Sequence, residues 1–287
     1  MYIKEFRQAR TVDEAVELLS RPGMRALAGG TDLTVQLRED DPKAAGVEGV
    51  VDLSRLTELK GIETRGDALW IGALVSHAQA AEDPALHHWA PFLAEACHSV
   101  GAPQIRNRGT LGGSLCNASP AADPIPPLVA LGAELTLVSR QGTRTVAVDD
   151  FLDRPYRPRR QPDELLTGIR IPCIPEARTA FVKLGRRRAL AIARMNVAVL
   201  AVVEAGRVAQ LAIAPGAVFP KAMRVGPAEE ILVGRQPSQA LIQQAADRVA
   251  AEMVAASGRR WSTPYKEPVI ATLCRRALER VLWEAME

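Results

Sequence analysis

Two short glycine-rich segments constrain this chain more than any other feature of its sequence. The first, Leu27 to Leu33, ends a short apolar run, and the second extends from Gly109 to Pro120. Each contains a glycine pair beside a hydroxyl residue, so its backbone can adopt positive φ and a ligand can approach its N–H groups closely. Two such turns that face each other would hold both phosphates of a dinucleotide. Either segment alone is typical of a tight turn, but together they indicate a ligand site.

Composition and motifs exclude several other classes of protein. No G-x-G-x-x-G or P-loop sequence occurs, and the net charge of +3 is too small to indicate nucleic-acid binding. The longest apolar run, Val197 to Val203, is too short for a membrane span. Four widely separated cysteines without C-x-x-C spacing indicate reduced thiols rather than a metal site, and the amino terminus lacks the apolar stretch of a signal peptide. We therefore expect a cytoplasmic protein without a metal ion of its own.

The order of apolar runs predicts an α+β fold in two parts. The prolines in Pro172 to Pro175 disfavour continued sheet pairing, and they place the domain boundary between residues 1–174 and 175–287. In the first part we expect short strands, a helix after Thr11, a second helix after Ser76 and a third, continuous helix over about Leu86 to Val100. In the second part, two apolar runs joined by Glu204 to Arg207 predict a hairpin, and two helices follow it.

Few individual side chains indicate chemistry. Asp123 could accept hydrogen bonds from ribose or ribityl hydroxyls, although an Asx turn before Pro124 explains it about as well. Lys183, close to the predicted boundary, could reach a ligand that lies between the domains. His77 and the other three histidines are interpreted as surface or packing residues, because none has ligand spacing with a carboxylate. No set of catalytic residues is predicted.

At these positions the chain resembles the flavoprotein, or medium, subunit of molybdenum hydroxylases, the family of xanthine dehydrogenase and carbon monoxide dehydrogenase. The resemblance covers nearly the whole chain. Besides the two glycine segments it includes Gln104 to Asn107, Asp163 to Leu166 and the closing helix from Tyr265 to Leu278. It implies an FAD-binding domain of the vanillyl-alcohol-oxidase (PCMH) type over residues 1–174. A small carboxy-terminal domain, with a three-stranded antiparallel sheet and helices, would follow.

The same resemblance implies a set of cofactor-binding residues. The pyrophosphate would be wrapped by Ala26, Leu27, Ala28, Gly29, Gly30, Thr31, Asp32 and Leu33. The diphosphate would be held from the other side by Thr110, Leu111, Gly112, Gly113 and Ser114, with Val100 near the ring. Asp123 would bind the ribose side, and Leu166 and Lys183 would border the flavin. The family usually has Asn where this chain has Ser114, so a hydroxyl replaces an amide there.

The resemblance also implies a function as one part of a complex. The chain would bind FAD and pass electrons from a small [2Fe–2S] subunit to NAD⁺ or another acceptor. A large molybdopterin-binding subunit would oxidise the organic substrate, and the complex would be a dimer of heterotrimers. Two alternatives stay open at this point. One is a stand-alone FAD-dependent reductase similar to enolpyruvyl-glucosamine reductase, and the other is an assembly scaffold that has lost the flavin.

Overall fold

The computed structural model describes residues 3–187 and 189–286. The predicted domains also include Met1, Tyr2, Arg188 and Glu287, which lie outside the described residues. The first part of the chain contains, in order, β1 (Glu5–Gln8), α1 (Val12–Leu19), β2 (Met24–Leu27), α2 (Leu33–Arg38), β3 (Gly49–Asp52), β4 (Ile62–Arg65), β5 (Ala68–Gly72), α3 (His77–Glu82), α4 (Pro84–Trp89), α5 (Pro91–His98), α6 (Pro103–Arg106), α7 (Leu111–Asn117), α8 (Ile125–Ala130), β6 (Glu134–Ser139), β7 (Gly142–Ala147), α9 (Val148–Phe151), β8 (Leu152–Arg154), β9 (Arg157–Pro158) and β10 (Leu165–Pro172). The second part contains β11 (Arg178–Gly185), β12 (Ala193–Glu204), β13 (Arg207–Gly216), α10 (Gly226–Glu229), α11 (Gln239–Ser257) and α12 (Thr263–Met286).

The strands of the first part form a parallel sheet and a larger antiparallel sheet. In the parallel sheet β3 lies between β1 and β2. The antiparallel sheet has the strand order β4-β5-β10-β6-β7, and β8 pairs separately with β9. The second part contains an antiparallel sheet in the order β11-β12-β13, with the long helix α12 packed on it and α11 packed on α12. This architecture confirms the predicted α+β class with a three-stranded antiparallel sheet in the second part.

Strand β12 explains why the sequence shows a continuous apolar run there rather than an alternating one. Its residues point to opposite faces of the sheet in turn. Ala198 and Leu200 pack into the core of the first part, whereas Val197 and Val199 belong to a second buried cluster, which contains residues of α12, the helix that contacts β12, and of α11. Both faces are covered, so both sets of side chains are apolar. The sheet is therefore the layer that joins the two parts of the chain.

Two local predictions are wrong. The single helix expected over Leu86 to Val100 is divided into α4 and α5, because Pro91 occupies the first position of a new helix and the residue before a proline avoids helical geometry. The second glycine segment was expected to be a tight turn, but residues 111–117 form α7. Within the described part of the chain, no helix combines the length and the apolar character that crossing a membrane requires.

Candidate cofactor-binding site

Both glycine segments border a single cleft of about 440 Å³. Leu166 on β10 contributes another part of its wall. Ala191 and Ile192, from the segment between β11 and β12, also line it. The second part of the chain therefore closes one side of a cleft that the first part builds.

The first glycine segment leaves β2 at Leu27 and enters α2 at Leu33. Gly30 has a φ of +74°, a conformation that side-chain-bearing residues rarely adopt. Gly29 lies directly against the second segment, because a Cβ at this position would overlap the main-chain carbonyl of Arg108. The two segments thus meet backbone to backbone, with no space for a side chain between them.

The second glycine segment is fixed by the chain that follows β5. The amides of Leu111 and Gly112 donate hydrogen bonds to the carbonyls of Val75, at 3.0 Å, and of Ala73, at 2.9 Å. A Cβ at Gly112 would lie 2.6 Å from the Ala73 carbonyl oxygen, so a side chain there has no room. Thr110 Oγ1 caps α7 by accepting a hydrogen bond from the Gly113 amide at 3.0 Å. The segment is consequently held at both its main chain and its cap.

Polar side chains also join the two helices that leave the glycine segments. Asn117 Nδ2 donates to Asp32 Oδ1 at 3.0 Å, and Gln36 Nε2 donates to Asn117 Oδ1 at 3.3 Å. Burial raises the pKa of Asp32, and the hydrogen bond from Asn117 opposes that rise. The start of α2 and the end of α7 are therefore connected across the cleft wall.

Asp123 lies in the cleft wall at the contact between the two parts of the chain. It is only 5% exposed. Lys183 Nζ donates to Asp123 Oδ2 at 2.6 Å and to the Ser99 carbonyl at 2.9 Å, and Asn196 Nδ2 donates to Asp123 Oδ1 at 2.9 Å. Burial raises the pKa of Asp123, while the positive charge of Lys183 and these hydrogen bonds lower it. Both carboxylate oxygens are thus held by residues of β11 and β12.

His77 lies in the cleft wall, which the sequence did not indicate. The side chain is 3% exposed, and its Nε2 lies 3.1 Å from Ser114 Oγ. Burial lowers the pKa of His77 to about 4, so the ring is neutral at neutral pH. It is a packing residue, as expected, but one that contacts a predicted cofactor-binding residue. Only the pairing of residues 73–77 with residues 109–112 brings it there, and no sequence motif marks that pairing.

Most residues of the predicted cofactor-binding set border the same cleft. They are Ala26, Leu27, Ala28, Gly29, Gly30, Thr31, Asp32, Leu33, Val100, Thr110, Gly112, Gly113, Ser114, Asp123 and Leu166. Leu111 does not, because its side chain is fully buried in the apolar core. Lys183 does not border the cleft itself and reaches it through its ion pair with Asp123.

Two arginines that no sequence motif marked also line the cleft. Arg25 lies on β2 and Arg160 precedes β10. Arg25 Nη1 donates to the Lys43 carbonyl at 2.7 Å, and Arg160 Nη1 donates to the Glu164 carbonyl at 2.6 Å. Burial, and then the charge of Arg160, lowers the pKa of Arg25. Two like charges lie near each other in a partly buried wall, and an anionic ligand would relieve that repulsion.

The cleft suits a dinucleotide in both size and chemistry. Cofactor sites commonly have volumes of roughly 300–1,000 Å³. The glycine segments expose main chain that a diphosphate could approach, and Arg25 and Arg160 supply positive charge. Asp123 offers carboxylate oxygens to hydroxyl donors, and Val100 and Leu166 offer apolar surface to a ring. These residues fit FAD, the cofactor that the sequence resemblance implies.

Comparison with known proteins agrees with this geometry. Residues 3–174 match the FAD-binding domain in molybdopterin dehydrogenase, and residues 180–281 match the carbon monoxide dehydrogenase flavoprotein C-terminal domain. The chain therefore belongs to the family of FAD-binding medium subunits of molybdenum hydroxylases, and it is an oxidoreductase subunit of the xanthine dehydrogenase and carbon monoxide dehydrogenase type.

Two relatives and one solved structure illustrate how far the similarity extends. The glyceraldehyde dehydrogenase medium chain of Sulfolobus acidocaldarius is 29% identical over 98% of this chain and 100% of its own length. The carbon monoxide dehydrogenase medium chain of Hydrogenophaga pseudoflava is 31% identical over 96% of this chain and 95% of its own. The structure of a carbon monoxide dehydrogenase from H. pseudoflava that lacks the Mo-pyranopterin moiety of its molybdenum cofactor superposes with a TM-score of 0.90 at 30% identity. It covers 100% of this chain and 99% of the matched one.

Proposed function

We propose that this chain takes electrons from a small [2Fe–2S] subunit and delivers them to NAD⁺ or another acceptor. The observation that carries the proposal is the single cleft bordered by both glycine segments, in a chain that matches medium subunits over nearly its whole length. When bound, FAD exchanges one or two electrons, which suits it to connect single-electron carriers to a hydride acceptor. Residues 1–174 would form the flavin-binding domain and residues 175–287 the second domain.

In this proposal the chain's own residues bind and orient the cofactor. The main chain of the first glycine segment donates to the diphosphate, residues 110–114 lie against it from the other side, and Arg25 and Arg160 offset its charge. Asp123 accepts hydrogen bonds from the ribose side, while Lys183 holds its carboxylate in place. The apolar surfaces of Val100 and Leu166 exclude water beside the ring.

The proposed partners are a large molybdopterin-binding subunit and a small [2Fe–2S] subunit, assembled as a dimer of heterotrimers. Cys97, Cys116, Cys173 and Cys274 lie far apart in the sequence without the spacing of cluster ligands, so we assign the clusters to a partner. A stand-alone reductase is less well supported, because the family match includes residues 180–281 as well as the flavin domain.

The proposal is tested by isolating the chain together with the proteins that co-purify with it. We expect visible flavin absorbance, release of FAD on denaturation, and molybdenum and iron in the complex. Anaerobic addition of NADH should bleach the flavin if NAD⁺ is the acceptor. Bleaching by an artificial reductant but not by NADH would exclude NAD⁺. Absence of flavin from both the complex and the FAD-supplied chain would refute the function itself.

A further inference from the structure

A buried histidine lies directly behind the second glycine segment. His77 Nε2 is 3.1 Å from Ser114 Oγ, and the His77 amide donates to the Gly109 carbonyl at 2.9 Å. The imidazole lies where a side chain at Gly109 would be, since a Cβ there would be 3.0 Å from His77 Cδ2. The ring is therefore fixed in position relative to Ser114.

The surroundings of the other ring nitrogen of His77, Nδ1, indicate which of the two nitrogens carries the proton. Nδ1 is buried and has no hydrogen-bond partner within residues 3–187 and 189–286. A neutral imidazole has one N–H donor and one acceptor nitrogen. Buried N–H groups without an acceptor are rarer in proteins than acceptors with an open lone pair. The proton therefore belongs on Nε2, from which His77 donates to Ser114 Oγ.

This arrangement determines what Ser114 can offer to a ligand. A hydroxyl group has one proton and two lone pairs. If Ser114 Oγ accepts from His77, its own proton is free for another acceptor. In the opposite tautomer, that proton would be donated to His77, and only lone pairs would face the cleft. Oxygens of a diphosphate are acceptors, so only the first arrangement gives an attractive contact.

We propose that His77 is a positioning residue that presents the Ser114 hydroxyl as a hydrogen-bond donor to a diphosphate oxygen of the bound dinucleotide. Ser114 is half-buried and borders the cleft, and His77 lies behind it in the same wall. The inference rests on the proposed function, because it assumes that the cleft holds FAD. It assigns His77 no contact with the reacting ring.

The tautomer of His77 can be measured without any cofactor. The full chain is labelled with ¹⁵N-histidine, and the ring signals of His77 are identified by their loss in His77→Gln. We expect a protonated Nε2 and an unprotonated Nδ1 at neutral pH. A neutral ring with its proton on Nδ1, or an imidazolium, overturns the proposal.

FAD affinity provides the second test, by titration of the full chain or its complex after cofactor removal. Ser114→Ala should weaken binding by about five- to tenfold, the loss of one neutral hydrogen bond. His77→Leu should weaken binding by less, because Ser114 keeps its hydroxyl group and loses only the donor that orients it. The double variant should bind no more weakly than Ser114→Ala alone, because His77 acts on the ligand only through Ser114. His77→Gln, whose side-chain amide can reach the position of Nε2, should stay within about twofold of the wild type.

The outcomes separate this inference from the proposed function. Losses that add in the double variant, or a His77→Leu variant with unchanged affinity, overturn the role of His77 while the function stands. If His77→Leu does not fold, the Ser114→Ala titration and the tautomer measurement still decide: unchanged affinity in Ser114→Ala is then sufficient to reject the proposal. Failure of the wild-type complex to bind FAD refutes the function instead.

Discussion

Two glycines of the cleft are required for different physical reasons. Gly30 adopts positive φ, whereas Gly29 has ordinary backbone geometry but no space for a side chain beside Arg108. The sequence predicted glycine-dependent turns with open amides, and it could not show that one segment would pack on the other. The width of the cleft is consequently set by main-chain contact.

Replacement of Gly29 by Ala should damage both stability and cofactor binding. The added Cβ would overlap the Arg108 carbonyl, which belongs to the backbone and cannot rotate away. We expect the free energy of unfolding to fall by about 1–3 kcal/mol, typical of overpacking, and the flavin content of the purified protein to fall with it.

Gly226→Ala is the matched control for this substitution. A Cβ at Gly226 would meet nothing within 4 Å, and its φ lies outside the left-handed range. Chemical denaturation and flavin absorbance of both variants provide the measurement. If Gly29→Ala kept the unfolding free energy and flavin absorbance of the wild type, the two glycine segments could separate without loss of stability, which would contradict this prediction.

The low pKa of His77 predicts a pH dependence of stability. The pKa is about 4 in the folded chain and 6.5 for a free histidine, so between these values the unfolded state binds a proton that the folded state does not. Stability should therefore fall as the pH falls through this window, by about 3 kcal/mol in all.

His77→Gln isolates this contribution. Four carboxylates whose pKa is raised by burial are present in both proteins and cancel in the comparison: Asp32, Glu95, Asp123 and Asp149. The variant should gain stability relative to the wild type as the pH is lowered from neutral to 4, as measured by urea denaturation. A difference that stays constant over this range would contradict the buried, neutral state of the ring.

At the scale of secondary-structure elements, α7 shows how tertiary contacts override local propensity. Its Leu111-Gly112-Gly113-Ser114 start has poor helix propensity, which is why the sequence predicted a turn. The Thr110 cap and the amides that donate to Ala73 and Val75 compensate. The hairpin of β12 and β13 was predictable, because apolar runs and a turn specify it locally.

Removal of the α7 cap should affect stability and cofactor affinity together. Thr110→Ala deletes the acceptor of the Gly113 amide and should cost about 1 kcal/mol of unfolding free energy. FAD affinity should also fall, because Gly113 and Ser114 border the cleft.

Thr11→Ala provides a control with the same chemistry at a distance. Thr11 caps α1 by accepting from the Glu14 amide at 3.1 Å, and neither residue borders the cleft. This variant should lose a similar amount of stability in denaturation while keeping its FAD affinity. Equal losses of affinity in both variants would mean that general destabilisation, not the position of α7, weakens binding.

At the scale of the whole molecule, the two parts of the chain share one large buried apolar cluster, and the second part also has a cluster of its own. Ala198 and Leu200 of β12 and Ala212 of β13 belong to the same buried cluster as Leu93 of α5 and Leu128 of α8. From the same sheet, Lys183 of β11 and Asn196 of β12 donate hydrogen bonds to Asp123. The boundary predicted from prolines at residues 174 and 175 therefore stays a prediction, and residues on both sides of it contribute to the same buried cluster.

Because of this shared core, the full chain should unfold in a single cooperative transition. A fragment of residues 1–174 would expose the apolar faces of α5 and α8 that β11, β12 and β13 cover, and should aggregate or unfold at a lower temperature. Differential scanning calorimetry of both proteins checks this. Two resolved transitions in the full chain, with a fragment as stable as the first of them, would show independent domains.

Residues of the candidate site that belong to a sequence motif were predictable, whereas residues that only tertiary packing brings to the cleft were not. The glycine segments, Asp123 and Lys183 were identified from sequence and family resemblance, and the structure brings them to one cleft or its edge. Arg25, Arg160 and His77 carry no local signature, since only the meeting of distant segments brings them there. Leu111 was included because it lies inside a motif, but a helix directs successive side chains to different faces.

The contact between Gly29 and the Arg108 carbonyl has a practical consequence for changing the cofactor specificity of this protein. Because the two glycine segments touch through their main chains at this point, a substitution in either segment would disturb both. Arg25 and Arg160 line the cleft from outside both glycine segments, so we expect their replacement to leave the main-chain contact in place. Variants that bind a modified nucleotide should therefore be designed at these side chains rather than in the glycine segments.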